Sequence, residues 1–214
     1  MNNKIIIYKP TLISVIIVII YLIIVWVNKN IIFDVNFYYK IWQNKFSIER
    51  IDNLILQNNK LSIFSYLIWP CILYIKWALI TFILYIGILL FEIKITFKSC
   101  FKIILLAEFI PLISSITKIL YFYIYPPNNI DIIQNLNPLG LSSLISTDSI
   151  PKYLLYPIQQ LNLFEIGYWL LLAYGIKSLG NVDFKKALKI TSLSYGVGLL
   201  IWCIFIVFLQ LQFS

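Results

Sequence analysis

The sequence predicts an all-α polytopic membrane protein with five transmembrane helices and an amphipathic segment between spans one and two. Of its 214 residues, 61% are hydrophobic and only 12% are charged, whereas a soluble domain carries about 25% charged residues. The mean hydropathy is +0.88, and apolar runs of about 20 residues, the length of a bilayer-crossing helix, recur along the chain. Too little polar surface is left to cover a water-soluble core.

The first predicted span is Pro10–Val27, which is rich in isoleucine and valine. Pro10 suits the first turn of a helix, and Trp26 suits a membrane interface. A cleaved signal peptide is the alternative interpretation. Asn28 and Lys29 follow the run, where a signal peptide has the small residues of its cleavage site. The sequence therefore favours a retained transmembrane anchor, within residues 1–30.

The segment that follows, residues 31–60, mixes apolar and polar residues. Its apolar side chains recur every three or four positions, which is typical of amphipathic helices on a membrane surface. An extramembrane loop with some helix fits the same pattern. We therefore divide the chain into the N-terminal anchor (1–30), an amphipathic interfacial loop (31–60) and a four-span membrane domain (61–214).

Four further spans are predicted in this membrane domain: Cys71–Phe91, Cys100–Tyr125, Pro157–Ile176 and Ala187–Leu209. The apolar run Leu61–Phe91 would be about 46 Å long as one helix, too long for a single upright span. Pro70 offers a division, because a proline inside a helix removes a backbone hydrogen bond. The residues before Pro70 are then expected to lie at the interface.

The basic residues predict how the chain is oriented. Nine of them fall on the side of the N-terminus and six on the other side, besides two inside the spans. Because cytoplasmic loops are enriched in lysine and arginine, the N-terminus is predicted to be cytoplasmic and the C-terminus to lie on the opposite side. The net charge of +8 indicates contact with anionic lipids. Nucleic-acid binding is not expected, since the lysines are divided between two faces.

Two stretches resemble a known family. They are "ITFKSCFKIILLAEFIP" (Ile95–Pro111) and "LNLFEIGYWLLLAYGIKSLGNVDFKKALKI" (Leu161–Ile190). Their order is similar to that in the bacterial branch of the Yip family, the Ypt/Rab-interacting five-span membrane proteins. The resemblance covers roughly Trp69–Leu209. It implies five spans, a cytoplasmic N-terminus and a place in the bacterial inner membrane. In eukaryotic members it implies vesicle trafficking and contact with small GTPases.

Four ionisable residues fall within the predicted spans: Lys76, Glu108, Lys118 and Glu165. Each costs about 2.5–3.5 kcal/mol at the centre of a bilayer, so each needs a partner, water or access to the interface. Counting from the predicted span ends places Lys76, Lys118 and Glu165 in one outer layer, and we predict that these three form an intramembrane polar cluster. Two alternatives stay open: the lysines extend to the surface along their apolar stems, or the cluster is a transport or substrate site.

Glu108, Pro111 and Ser115 form a second candidate feature, a polar stripe with a kink. At 100° per residue these side chains and Lys118 lie within about 80° of one another. Pro111 leaves the carbonyl of Ala107 without its helical donor, which predicts a kink. Glu108 and Lys118 are about 15 Å apart along the helix and cannot pair. The stripe is expected to face other helices or a water-filled cavity.

No catalytic set is recognisable in the sequence. The chain has no histidine, which removes the commonest general base and metal ligand. Its three cysteines lack metal or redox spacing, and a glycine-rich phosphate loop is absent. We therefore expect a non-enzyme without cofactor or metal. Such a protein would organise or recruit membrane partners through contacts with lipids, other membrane proteins or a second copy. The alternative is a transporter or permease-like subunit that uses the polar interior; its small-molecule substrate is unknown.

Overall fold

The computed structural model describes residues 9–127, 129, 132–133, 136–143 and 150–213. All the regular secondary structure in these ranges is helical. The helices are α1 (Pro10–Val27), α2 (Val35–Trp42), α3 (Ile48–Leu90), α4 (Phe97–Ala107), α5 (Phe109–Ile124), α6 (Lys152–Gln160), α7 (Leu163–Gly180), α8 (Phe184–Thr191) and α9 (Val197–Phe213). A π-helical segment, Asn28–Ile32, extends α1, and another, Ser192–Gly196, joins α8 to α9. Residues 141–143 form a short 3-10 turn.

Four helical stretches are long and apolar enough to cross a membrane by length and composition: Pro10–Ile32, Ile48–Leu90, Phe97–Ile124 and Phe184–Phe213. The predicted all-α membrane class is thereby supported. The predicted number of five spans is not confirmed. Helix α7, which corresponds to the fourth predicted span, has 18 residues and carries Glu165 and Lys177. It is not among the four candidates found in the described part of the chain.

Helix α3 corrects the division predicted at Pro70. The helix runs through this proline for 43 residues, about 64 Å at 1.5 Å per residue. The predicted interfacial stretch and second span are thus one element, and the segment boundary predicted after residue 60 falls inside it. Contacts from neighbouring segments hold the N-terminal half of α3; Lys29 after α1, for example, donates a hydrogen bond to Ser62.

The interfacial segment folds as α2 packed against the N-terminal half of α3. Asp34 caps α2 by accepting a hydrogen bond from the backbone N–H of Phe37 at 2.8 Å. The Tyr39 hydroxyl donates to the carboxylate of Asp52 on α3. Asn58 of α3 donates to the hydroxyl of a second α2 tyrosine at 2.7 Å. These polar bonds dock a short helix that could not be stable alone.

The fourth predicted span, Pro157–Ile176, is also corrected. Helix α6 ends at Gln160 and α7 begins at Leu163, so the helix is interrupted between them. Asn162 caps α7, since its side chain accepts from the backbone N–H of Glu165 at 2.8 Å. An asparagine three residues before a glutamate is a sequence signature of a helix start. Glu165 therefore lies in the first turn of α7 and not eight residues inside a span.

Glycines allow the close approach of helices in the core. A Cβ added at Gly87 of α3 would lie 2.4 Å from the Cβ of Ser194, and one added at Gly196 would lie 2.5 Å from the ring of Trp169. Small residues are the usual means by which membrane helices pack closely. The π-helical segment before α9 therefore fits between α3 and α7 because these positions lack side chains.

Candidate functional site

Glu108 lies at the interruption between α4, which ends at Ala107, and α5, which begins at Phe109. The interruption has a local cause, because the nitrogen of Pro111 carries no hydrogen to donate to the carbonyl of Ala107. The Glu108 side chain is completely buried, with 0% exposure. It is close to the middle of the candidate span Phe97–Ile124. A charge-bearing group thus occupies the centre of an apolar bundle.

Two donors from two other helices share one oxygen of this carboxylate. The Lys76 Nζ of α3 lies 2.7 Å from Glu108 Oε1, and the Tyr21 hydroxyl of α1 donates to the same oxygen at 2.9 Å. We call Tyr21, Lys76 and Glu108 the central polar cluster. The Lys76 side chain is 39% exposed, so its stem lies at the bundle surface while its ammonium group points inward. The cluster joins α1, α3 and the α4–α5 junction at a single point.

The energetics of this ion pair are asymmetric. Forming a buried pair gains little net stability, since both charges lose their hydration. Removing one partner is strongly destabilising because the other charge is left buried without compensation. Glu108 Oε2 has no hydrogen-bond partner among the described residues, nor do the buried Tyr168 hydroxyl and the indole Nε1 of Trp77. These three polar atoms near the cluster are therefore buried without a hydrogen bond from the described part of the chain.

Glu165 accepts its hydrogen bonds from neutral donors. Its Oε1 accepts from the indole N–H of Trp169 at 2.9 Å and from the Tyr195 hydroxyl at 2.8 Å. We call Glu165, Trp169 and Tyr195 the Glu165 site. The Tyr195 ring lies 5.2 Å from that of Tyr168 and 5.9 Å from that of Trp169. Tyr195 belongs to the π-helical segment Ser192–Gly196, so the Glu165 site joins α7 to the start of α9.

Among the described residues, no hydrogen bond or ion pair joins Lys76, Lys118 and Glu165, so the predicted cluster is not formed by direct contact. Lys76 is nonetheless within electrostatic range of Glu165. Lys76 pairs with Glu108 and Glu165 binds Tyr195, as described above. The Lys118 ammonium donates to the backbone carbonyl of Ile133 at 2.8 Å. It also lies 5.7 Å from the centre of the Phe122 ring, a distance at which a cation and an aromatic ring attract each other. The structure thus disperses these three charges among separate partners.

The error came from the reference points used for depth. Counting from Pro70 for Lys76 and from Pro157 for Glu165 assumes that each proline marks the end of a span. Neither proline ends a span, since α3 continues through Pro70 and α7 begins only at Leu163. Glu165 is in consequence nearer to a helix end than predicted, and Lys76 is nearer to the middle of the bundle.

The polar stripe of Glu108, Pro111 and Ser115 lies on one helical stretch but does not act as a unit. Ser115 donates its hydroxyl hydrogen to the carbonyl of Pro111 at 3.0 Å, which satisfies the hydroxyl within α5. Only Glu108 of these residues is fully buried. Glu108 and Lys118 have different partners, in agreement with their separation along the helix. The stripe reduces to one interhelical residue, Glu108.

Sequence reasoning missed the aromatic donors Tyr21, Trp169 and Tyr195. Tyrosine and tryptophan are enriched at membrane interfaces, and that general expectation gives no reason to place these three beside the carboxylates. The position of Tyr21 carried a contrary signal, because it is the middle residue of the 23-residue stretch Pro10–Ile32. Lys76 is likewise the middle residue of the apolar run Leu61–Phe91. A polar group midway along an apolar run points to a partner inside the bundle.

No group of three or more His, Cys, Asp or Glu side chains in the described part of the chain is arranged to hold a metal ion. No family model, curated protein or solved structure matches this sequence. Two carboxylates accept hydrogen bonds from donors on other helices, and this arrangement favours fixed helix positions.

Proposed function

We propose that this chain is a non-enzymatic integral membrane protein of Yip-like type, which organises or recruits membrane partners through helix and lipid contacts. The proposal places it in a bacterial inner membrane with a cytoplasmic N-terminus. In it α7 is a fifth span beside the four candidates, so the C-terminus lies on the opposite side. Support for this role of α7 comes from its fully buried Leu172 and Ile176 and from the close contact between Gly175 and Ile103 of α4.

One observation carries this proposal: the buried Glu108 carboxylate is held by donors from α1 and α3 on a single oxygen. A carboxylate that joins three helical segments serves to fix helix positions. The Glu165 site supports the same interpretation, since it joins α7 to the segment before α9. A bundle fixed in this way presents a constant outer surface to its surroundings.

The outer surface of α9 supports a role in association. None of the residues of α9 is buried, and Leu200, Ile201 and Ile204 are each about 60% exposed. An apolar membrane helix with a free face contacts either lipid or a helix of another protein. Helix α9 is therefore the surface where we expect a partner helix to pack.

Photocrosslinking in native membranes tests this expectation. A photoreactive amino acid at Leu200 or Ile204 should give a discrete crosslinked protein species. The matched control is the same amino acid at Ile190, which is fully buried in α8 and should crosslink only within the chain. Crosslinks to lipid alone from both α9 positions would contradict partner recruitment by this helix.

Transport is the second candidate function, favoured by the unpaired polar atoms in the interior. Glu108 Oε2 and the Tyr168 hydroxyl are buried without a partner among the described residues, and buried carboxylates of this kind mark proton paths in membrane proteins. Purified protein in liposomes that contain a pH-sensitive dye separates the two functions. A transporter requires a proton flux above that of empty liposomes, lost in Glu108→Gln and kept in Ser115→Ala. The scaffold requires no flux that depends on Glu108.

A further inference from the structure

A groove between α4 and α7 lies apart from both carboxylate sites. It has a volume of about 270 Å³. Its wall is mostly apolar, with polar groups toward one end. The residues that define it are Lys102, Ile103, Leu106, Leu171, Tyr174 and Ser178. Lys102 is the middle residue of α4, and Ser178 is in the last turn of α7. The polar end of the groove is therefore the end nearer to the loops that follow α3 and α7.

The groove opens on the outside of the bundle. Leu171 and Tyr174 on its rim are 37% and 49% exposed. Part of its wall is formed where α4 and α7 are in close contact, because a Cβ added at Gly175 would lie 2.5 Å from Ile103. In a membrane-spanning bundle this outer side faces lipid chains, and an apolar groove of this kind accommodates hydrocarbon.

The polar end of the groove is strongly basic. Lys98 precedes Lys102 by one helical turn on α4, a spacing that places both on the same face. Lys177 on α7 is exposed and adjacent to Ser178. The stretches 92–102 and 177–189, which contain the two loops, carry seven lysines against two acidic residues, Glu92 and Asp183. The potential at this end of the groove therefore attracts anions.

We propose that this groove binds one anionic phospholipid. Its phosphate lies at the Lys102 ammonium and the Ser178 hydroxyl, and one acyl chain lies along Ile103, Leu106 and Leu171. Basic pockets between transmembrane helices are known sites for anionic headgroups. A zwitterionic lipid should bind more weakly here, because the lysines repel the positive charge of its headgroup. The inference rests on the membrane placement in the proposed function but not on partner recruitment.

Native mass spectrometry of the full chain tests the site, using phosphatidylglycerol and phosphatidylcholine as lipids. The wild type should retain phosphatidylglycerol in preference. Lys102→Ala should lower its retention about fivefold, the factor that corresponds to about 1 kcal/mol for one lysine near an anionic lipid. Leu171→Trp, which fills the groove from its exposed rim, should lower retention of both lipids. Lys186→Ala is the matched control, an exposed lysine on α8. It adds to the general positive potential but does not line the groove, so it should lower phosphatidylglycerol retention far less than Lys102→Ala does.

Three outcomes would overturn the proposal. Equal loss in Lys102→Ala and Lys186→Ala would mean that the lysines attract anionic lipid without a defined site. Equal retention of both lipids by the wild type would remove the headgroup preference. Displacement of the lipid by glycerol phosphate would show that the acyl chain does not hold it. If Leu171→Trp does not fold, Lys102→Ala alone tests the site. Crosslinking from α9 is a separate measurement, so a failure of partner recruitment can be distinguished from a failure of lipid binding.

Discussion

Glu108 and Glu165 are both carboxylates on largely apolar helices, but they differ in burial and in partners. Glu108 is fully buried and pairs with a lysine from another helix. Glu165 is partly buried, lies in the first turn of α7 and accepts from neutral tryptophan and tyrosine donors. A carboxylate near a helix start is also stabilised by the helix dipole. The cost of removing the carboxylate from water is thus offset by an ion pair at Glu108 and by hydrogen bonds from neutral donors at Glu165.

The comparison shows that the position of a carboxylate in the bundle decides which kind of partner must offset the cost of removing it from water. At the centre of the bundle an opposite charge, together with the Tyr21 hydroxyl, offsets part of the cost of desolvation. At a helix start, neutral donors and the backbone N–H groups are enough. The loss of a partner should therefore cost much stability at Glu108 and little at Glu165, and three substitutions test this difference.

Lys76→Met should have the largest effect. The methionine keeps the apolar stem of the side chain but leaves Glu108 buried without its counter-charge. We expect a loss of about 3–5 kcal/mol in the free energy of unfolding, measured by denaturation in detergent or bilayer. Lys118→Met is the control, because among the described residues its ammonium contacts a backbone carbonyl and the Phe122 ring and pairs with no carboxylate. Equal losses in the two variants would remove the distinction on which the central polar cluster depends.

Gly87→Ala should come next and should act on the Glu165 site. Its Cβ would lie 2.4 Å from the Cβ of Ser194, so the segment that carries Tyr195 must move. Overpacking of this kind costs about 1–3 kcal/mol. The matched control is Gly167→Ala, where the new Cβ makes ordinary contacts of 3.6 Å with Ile110. If both alanines are tolerated equally well, close packing does not set the position of Tyr195.

Glu165→Gln should cost about 1 kcal/mol. The amide oxygen of glutamine still accepts from Trp169 or Tyr195, so the variant loses charge-assisted strength but keeps the hydrogen bonds. Thermal unfolding of this variant and of Lys76→Met measures both losses of stability, and the loss in Glu165→Gln should be the smaller one. A loss as large as that of Lys76→Met would mean that the Glu165 charge is needed, and the contrast between the sites would fail.

The smallest effect is expected outside the spans, where α2 docks on α3. The hydrogen bond to Asp52 raises the pKa of Tyr39 above its usual 10.0. A raised pKa means that docking favours the protonated hydroxyl, so its contribution is complete below pH 10 and is lost as the pH rises through the raised pKa. Fluorescence of Trp42 on α2 reports the docking. It should be constant between about pH 6 and pH 9 and change above about pH 10, and Tyr39→Phe should lose this dependence.

Local patterns in the sequence were enough to predict the membrane class and the first helix. Pro10–Val27 is uniformly apolar and begins with a proline, so its bounds follow from local rules, and the structure has the same bounds. Pro70 misled for a physical reason. A helix continues through a proline when contacts from other segments offset the lost hydrogen bond, and those contacts, from α2 and from Lys29, join residues far apart in the sequence.

The pairing of Lys76 with Glu108 follows from the sequence when the depth of both residues is counted from the loop between α3 and α4. Counted from that loop, Lys76 is 14 residues before Leu90 and Glu108 is 11 residues after Phe97. At 1.5 Å per residue both are about 17–21 Å from the loop, so they face each other at one depth. Periodicity does not give the rotation of a helix about its axis. The choice of Tyr21 as a second donor and of Tyr195 as the partner of Glu165 therefore required the tertiary structure.

The most direct test of the central polar cluster is a double-mutant cycle of Lys76→Met and Glu108→Gln, measured as the free energy of unfolding in a bilayer. If the pair offsets the burial of its charges, the double variant recovers much of the loss seen in Lys76→Met. The coupling energy should then fall at the upper end of the 0.5–3 kcal/mol range, about 2 kcal/mol or more. Additive effects, within about 0.5 kcal/mol, would contradict the account of Glu108 as the group that holds α1, α3 and the α4–α5 junction together.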